Sequence, residues 1–149
     1  MDVKFDIEKE IRFILQGGKF QNFIIEANQS QLANKGQDTK DQEIKTFKAR
    51  SGDVYSIPTI VIKGKKNQPT DRVTLFDTGR FYDSMAVKPQ KTFAEVTANK
   101  KSLAQIFDNI SSDFDILGLN EENTNKLAEL LQFELQKEID SFIEKNLVI

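Results

Sequence analysis

Apolar residues recur along this chain with two different periods, and those periods predict most of its elements. From Val3 to Gln16 they fall at Val3, Ile7, Ile11 and Ile14–Leu15, the spacing of one helix face, with acids early and Gly17-Gly18 as a stop. Phe20, Phe23, Ile24 and Ala27 continue helical spacing toward Leu32, either as a second helix or as one long helix interrupted at the glycines. Asn34 to Glu43 is polar and reads as a loop. Val73 and Leu75 alternate with Thr74 and Phe76, and Asp77 or Thr78 then offers an N-cap for a short helix from Gly79 to Met85, with Gly79 making a tight turn. Thr92 to Ala98 alternates as a strand and pairs with Met85-Ala86-Val87 across a Lys88–Lys91 turn. Helical spacing returns from Lys101 to Ile110, at Leu103, Ile106, Phe107 and Ile110. In the last helix Asn120 is the cap, Glu121-Glu122 suit the helix dipole, and Leu127, Leu131, Leu135, Ile139 and Ile143 form an i,i+4 stripe, widened by Leu130 and Phe142, that reads as core.

The stretch from residue 44 to 72 fits neither period. It holds two prolines, two glycines and one short β-like run, Thr59 to Ile62, and it lies in a region from Lys35 to Arg72 with nine basic and five acidic residues. It reads as a protruding basic arm or long hairpin that leaves the body and needs a partner surface. The whole pattern predicts an α+β fold: a small antiparallel sheet packed with N-terminal and C-terminal amphipathic helices, plus that extended arm, in one domain over 1–149.

Composition narrows the chemistry. The 149 residues are long enough to bury roughly two-thirds of their unfolded surface without disulfides or metals. Histidine, cysteine and tryptophan are all absent, which excludes Ser-His-Asp and Cys-His triads, thiol redox chemistry and the usual zinc sites. The absence of cysteine fits a reducing compartment. No apolar run approaches a membrane span, and the opening MDVKFDIEKE lacks the pattern of a secretory signal. Lysine outnumbers arginine 17 to 4, against a base-reading surface. Charge is unevenly spread: residues 1–107 carry a net +5 and residues 108–149 a net −7, so one end can attract the other within a molecule or between neighbours.

Two motifs invite enzymatic or metal readings. Leu75-Phe76-Asp77-Thr78-Gly79 matches the active-site triplet of pepsin-like and retroviral aspartic proteases, and Ile116-Leu117-Gly118 resembles a downstream element of the retroviral type; one copy implies a homodimer sharing one proton between two aspartates. Arg80 stands where that family has a small residue, the 37 residues from Gly79 to Ile116 are too few for the barrel, and the helical first third has no counterpart there. Asp108, Asp113 and Asp115 lack the spacing and terminal glutamate of a calcium loop and read as a solvated acidic turn.

A larger ordered pattern remains: Tyr55-Ser56-Ile57-Pro58-Thr59, a Lys/Gly stretch, QPTDRVTLFDTGRFYDSM with its Thr78-Gly79-Arg80-Phe81-Tyr82-Asp83-Ser84 element, and DILGLNEEN before a terminal amphipathic helix. This ordering, over residues 50–145, resembles small virion proteins of tailed bacteriophages, the tail-completion and head–tail connector class, in the version carried by phages and prophages of Bacteroidetes. The resemblance implies a non-enzymatic structural subunit, without cofactor or metal, assembled in the host cytoplasm into a homo-oligomeric ring of the virion. Its neighbours would be portal, adaptor or tail proteins, with DNA passing through the lumen. For the ring contacts, Arg50, Lys63, Lys65 and Lys66 are available to pair with Glu129, Glu134 or Glu138 of a neighbour, and Tyr55 and Pro58 are the expected apolar interface residues. A nucleic-acid-binding accessory role for the basic arm is the competing reading.

Overall fold

A computed structural model describes residues 4–90 and 94–147. Val3, and the Lys91-Thr92-Phe93 portion of the expected hairpin, lie outside the described residues.

The N-terminal third resolves into two helices. Asp6 caps α1 (Ile7–Gln16), its carboxylate accepting from the Lys9 amide at 3.1 Å. Gly17 is extended rather than helical and separates α1 from α2 (Gly18–Ser30). A single wide π-type turn, Gln31–Lys35, prolongs α2, and Gly36 ends it in the left-handed region at φ 60°.

Residues 44–72 correct the expectation of an arm. Ile44, Val54 and Tyr55 are buried among Leu32, Val73, Phe81, Met85, Ile110 and Ile116 in the main core. Thr46 ties the segment across itself, its amide and hydroxyl both bonding the Val54 carbonyl (3.0 and 2.9 Å), while it bridges to Ile110 on its other side. Three isolated anchors hold it down, and isolated anchors leave no period to read. The β-like Thr59–Ile62 run is helix: α3 spans Ile57–Lys65. Pro58 sits in its first turn, where the fixed φ suits a helix and the missing N–H costs nothing, and this local signal overrides the β-branched residues that follow.

The 73–85 stretch also differs from expectation. Val73 and Thr74 are buried, but Leu75 turns left-handed at φ 57° and no strand forms there. Gly79, at φ 88°, occupies the N-cap position of α4 (Arg80–Asp83), so neither Asp77 nor Thr78 caps it; the tight turn expected of Gly79 is present. Then β1 (Ala86–Pro89) pairs antiparallel with β2 (Ala94–Thr97), placing buried Val87 opposite buried Val96. These two valines and Ile24 of α2 make a second, smaller core. Asn99 caps α5 (Lys100–Phe107) by accepting from the Lys101 and Ser102 amides, and α5 stops three residues short of Ile110.

The connection into α6 (Glu121–Leu147) is held by buried amides. Asn28 donates to the Ile116 carbonyl (3.0 Å) and accepts from the Gly118 amide (2.7 Å). Gln31 donates to the Gly118 carbonyl (3.1 Å) and accepts from the Asn120 amide (2.8 Å) and the Asn123 side chain (2.9 Å). Asp38 accepts from the amides of Lys40, Gln42 and Asp115. Among the described residues, no buried side-chain polar atom lacks a partner. Asn120 caps α6 as expected, taking the Asn123 amide at 2.9 Å.

The apolar stripe of α6 corrects another expectation: none of its residues is buried. Each i,i+4 step turns a helix about 400°, or about 40° past a full revolution. Four steps from Leu127 to Ile143 therefore swing the stripe about 160° around the axis. Leu127 joins the second core, whereas Ile143 is 45% exposed. Length adds to the effect. α6 runs about 40 Å and α1, which packs along it, only about 15 Å.

Candidate subunit-contact surface

The outward face of α3 is the most unusual surface of the molecule. Ile57, Pro58, Val61, Ile62 and Lys65 fall on one side of the helix, and Ile57, Val61 and Ile62 are each 50–54% exposed. A nine-residue helix normally turns polar side chains outward; this one turns three aliphatic residues and a proline outward, with Lys65 the single charge among them.

Beside α3 lies an open cleft of about 530 Å³. Its floor is Tyr55, Val73, Phe81 and Ile110, and its rim carries the exposed rings of Phe47 and Phe76 together with Ile62. The 73–79 turn that forms one wall is held in a costly shape. A left-handed leucine is uncommon, at roughly 1–2 kcal/mol, and its neighbours fix it. The Tyr55 hydroxyl accepts from the Thr74 amide at 3.1 Å, the Tyr82 hydroxyl donates to the Thr74 carbonyl, and Lys63 donates to the Phe76 carbonyl at 2.9 Å. Burial pushes both phenols above their ordinary pKa, so both stay protonated hydrogen-bonding groups at neutral pH.

The expected interface residues distribute unevenly around this surface. Pro58 and Lys65 lie on the outward face of α3. Tyr55 does not: at 4% exposure it is a core residue, and its hydroxyl is spent on Thr74. Lys63 turns inward over the Tyr55 ring at 5.1 Å, and partial burial lowers its pKa, Lys66 adding to this while Asp77 opposes it. Lys66 pairs with Asp77 at 2.6 Å and Arg50 with Asp53 at 2.8 Å. On α6, Glu134 is taken by Lys19 of α2 at 2.9 Å, with Lys137 at 3.4 Å. Part of the charge asymmetry is therefore satisfied within the molecule. Glu129 and Glu138 are exposed and, among the described residues, make no ion pair.

Phe47, Phe76, Val61 and Ile62 were not legible as surface residues. The one available signal was TIVIK following Pro58: read at helical rather than strand period, Thr59 and Lys63 share one face and the aliphatic residues cover the rest.

Asp77 does not sit in the environment a shared-proton dyad requires. Its hydrogen bond from Lys66 holds the carboxyl below the ordinary aspartate range, reinforced by the charges of Lys66 and Lys63. A dyad aspartate must instead be pushed up by a second carboxylate. Asp115 accepts from the Thr39 hydroxyl at 2.9 Å, and no cluster of acids able to hold a metal ion occurs among the described residues. Nor is any described helix long and apolar enough to cross a membrane.

Comparison with protein-family models, with curated proteins and with solved structures returned no match to this chain.

Proposed function

We propose that the chain is a non-enzymatic structural subunit of a tailed-phage virion, a tail-completion or head–tail connector protein that forms a homo-oligomeric ring between portal and tail. The observation that carries this reading is the bare apolar face of α3. An aliphatic face held on an ordered helix beside an apolar cleft is what a contact with another protein requires, and isolated exposed side chains would not do the same. The resemblance of the 50–145 pattern to connector proteins supplies the kind of assembly, with portal, adaptor or tail proteins as further neighbours in the virion.

The nucleic-acid reading has less support. Of the seven cations in the 44–72 segment, Lys45, Arg50, Lys66 and Arg72 are ion-paired and Lys63 is turned inward, leaving Lys48 and Lys65 uncommitted among the described residues. A phosphate-tracking surface uses several cations at once.

Deleting residues 44–72 would remove core anchors and is not an informative test. Val61→Asp is: it alters a half-exposed position, so the fold should survive while the contact fails. Sedimentation across a concentration series should show an oligomer for the natural chain and a monomer for Val61→Asp, with unchanged circular dichroism. An assembly indifferent to Val61→Asp, or a natural chain monomeric at every concentration, would refute the proposal.

A further inference from the structure

We infer that the bare face of α3 takes the outer face of α6 from a second copy of this chain, so that each subunit gives one surface and receives the other. This inference rests on the subunit reading above and specifies the partner surface.

The second surface comes from the drift of the α6 stripe. Toward the helix end the stripe turns away from its own subunit: Phe5, ahead of α1, packs on Phe142, but Ile143 and Leu147 stay exposed, 45% and 64%, as does Phe133 at 59%. At about 100° per residue, Glu129, Phe133, Asp140, Glu144 and Leu147 fall within an arc of about 60°. The outer face of α6 is thus apolar and mainly acidic, with one cation at its edge, Lys137, over the Phe133 ring at 4.5 Å. Over the whole helix seven acids stand against three lysines, net −4. Residues 57–66, α3 with its cap, hold three lysines and no acid; Lys63 turns inward and Lys66 pairs with Asp77, so the outward face presents Lys65 as its one free cation.

Charge decides which apolar face meets which. Two α3 faces brought together would oppose lysine to lysine, and two α6 faces would oppose Glu129, Asp140 and Glu144 to their own copies. Each such pairing adds like-charge repulsion at the edge of the buried patch. α3 against α6 removes the repulsion and places Lys65 among carboxylates. Rim pairs of this kind contribute little attraction; they select, while apolar burial holds. Within one chain the two faces do not satisfy each other, since no ion pair joins α3 to α6 among the described residues. A contact between two different surfaces of identical subunits is heterologous, and it propagates as a ring where its rotation closes and as an open filament where it does not.

The absence of cysteine makes the test clean. Val61→Cys and Ile143→Cys are prepared as separate full-length proteins with different tags, assembled alone and mixed, and treated with a short bismaleimide. Sedimentation is recorded on the same samples. Covalent dimers in the mixture, carrying both tags and absent from either protein alone, are the expected result. An oligomer whose cross-links form within Val61→Cys alone or Ile143→Cys alone, or not at all, overturns the α3–α6 pairing and leaves the subunit reading standing. A chain that stays monomeric overturns both. Charge reversal supplies the independent check. Lys65→Glu should weaken association about 2- to 5-fold, and Glu144→Lys in the same chain should restore it. Further weakening by the second change counts against the pairing.

Discussion

Replacing Asn28 tests the amide clamp that sets the direction of α6. Its side chain, fully buried on α2, donates to the Ile116 carbonyl and accepts from the Gly118 amide. Asn28→Ala leaves both backbone groups without a partner where little water reaches them. At about 1–3 kcal/mol for each stranded group, the expected loss is roughly 2–5 kcal/mol after some relaxation. That is a large share of the 5–15 kcal/mol typical of a domain. Asn28→Asp separates the hydrogen bonds from the packing, because the shape is kept. Ionised, the introduced carboxylate still accepts from Gly118 but presents an oxygen to the oxygen of Ile116. Protonated, it can donate to Ile116 as the amide did. Folding therefore raises its pKa above the unfolded value of about 3.9. A raised folded-state pKa means the variant approaches the natural stability below about pH 4. Stability is then lost as pH rises toward the folded-state pKa, at no more than about 1.4 kcal/mol per pH unit, and the deficit is constant above it. Urea unfolding of the natural chain and both variants, from about pH 4 to about pH 8, gives the difference at each pH with the shared carboxylates cancelled. An Asn28→Ala cost below about 1 kcal/mol, or an Asn28→Asp deficit flat across pH, would refute the account.

Two further tests address the cleft wall and the end of the π-type turn. Tyr55 and Tyr82 are the only tyrosines, there is no tryptophan, and both phenols are pushed above their ordinary value by burial. Phenolate absorbance should thus not follow a free-tyrosine curve near pH 10 but lag it and emerge with unfolding. The stability these phenols contribute is complete below about pH 10 and lost above it, and a normal tyrosine curve in the folded chain would contradict their burial. A methyl on Gly36, at φ 60°, would meet the Arg72 Cβ at 2.7 Å, whereas one on Gly52, at φ 86°, meets nothing within 4 Å. Both Gly→Ala changes carry a left-handed backbone cost of about 1–2 kcal/mol, but Gly36→Ala adds the clash and should melt at clearly lower urea; equal midpoints would refute the packing argument.

Local signals were readable wherever one residue type has one physical use. Gly17 separating α1 from α2 and Asn120 at the α6 cap follow from backbone freedom and capping within a few residues. The hairpin follows from alternation, but not its register, because Lys88 and Pro89 continue β1 instead of opening the turn and so set Val87 opposite Val96. The arm failed for the opposite reason. Ile44, Val54 and Tyr55 are anchored by residues from Leu32 to Ile116, and a segment whose burial depends on distant partners shows no period of its own. Lys63 and Lys66 looked like free cations because their partners, the Phe76 carbonyl and Asp77, come from another stretch of chain. Tyr55 looked like an interface residue in a segment without context and is core.

The sequence by itself determined the element types over most of the chain, the α+β class, and the exclusion of histidine and cysteine chemistry. These depend on composition and on spacing along the chain. Only the tertiary structure decided which apolar residues stay outside. The i,i+4 run on α6 is regular on paper, but a regular run on a straight helix rotates out of the core, and how much of it is covered depends on the length of α1. Likewise the aliphatic residues of α3 are unremarkable in sequence and stay outside because the core is filled by Tyr55, Val73, Phe81 and their neighbours, leaving α3 with one face that none of the described residues covers.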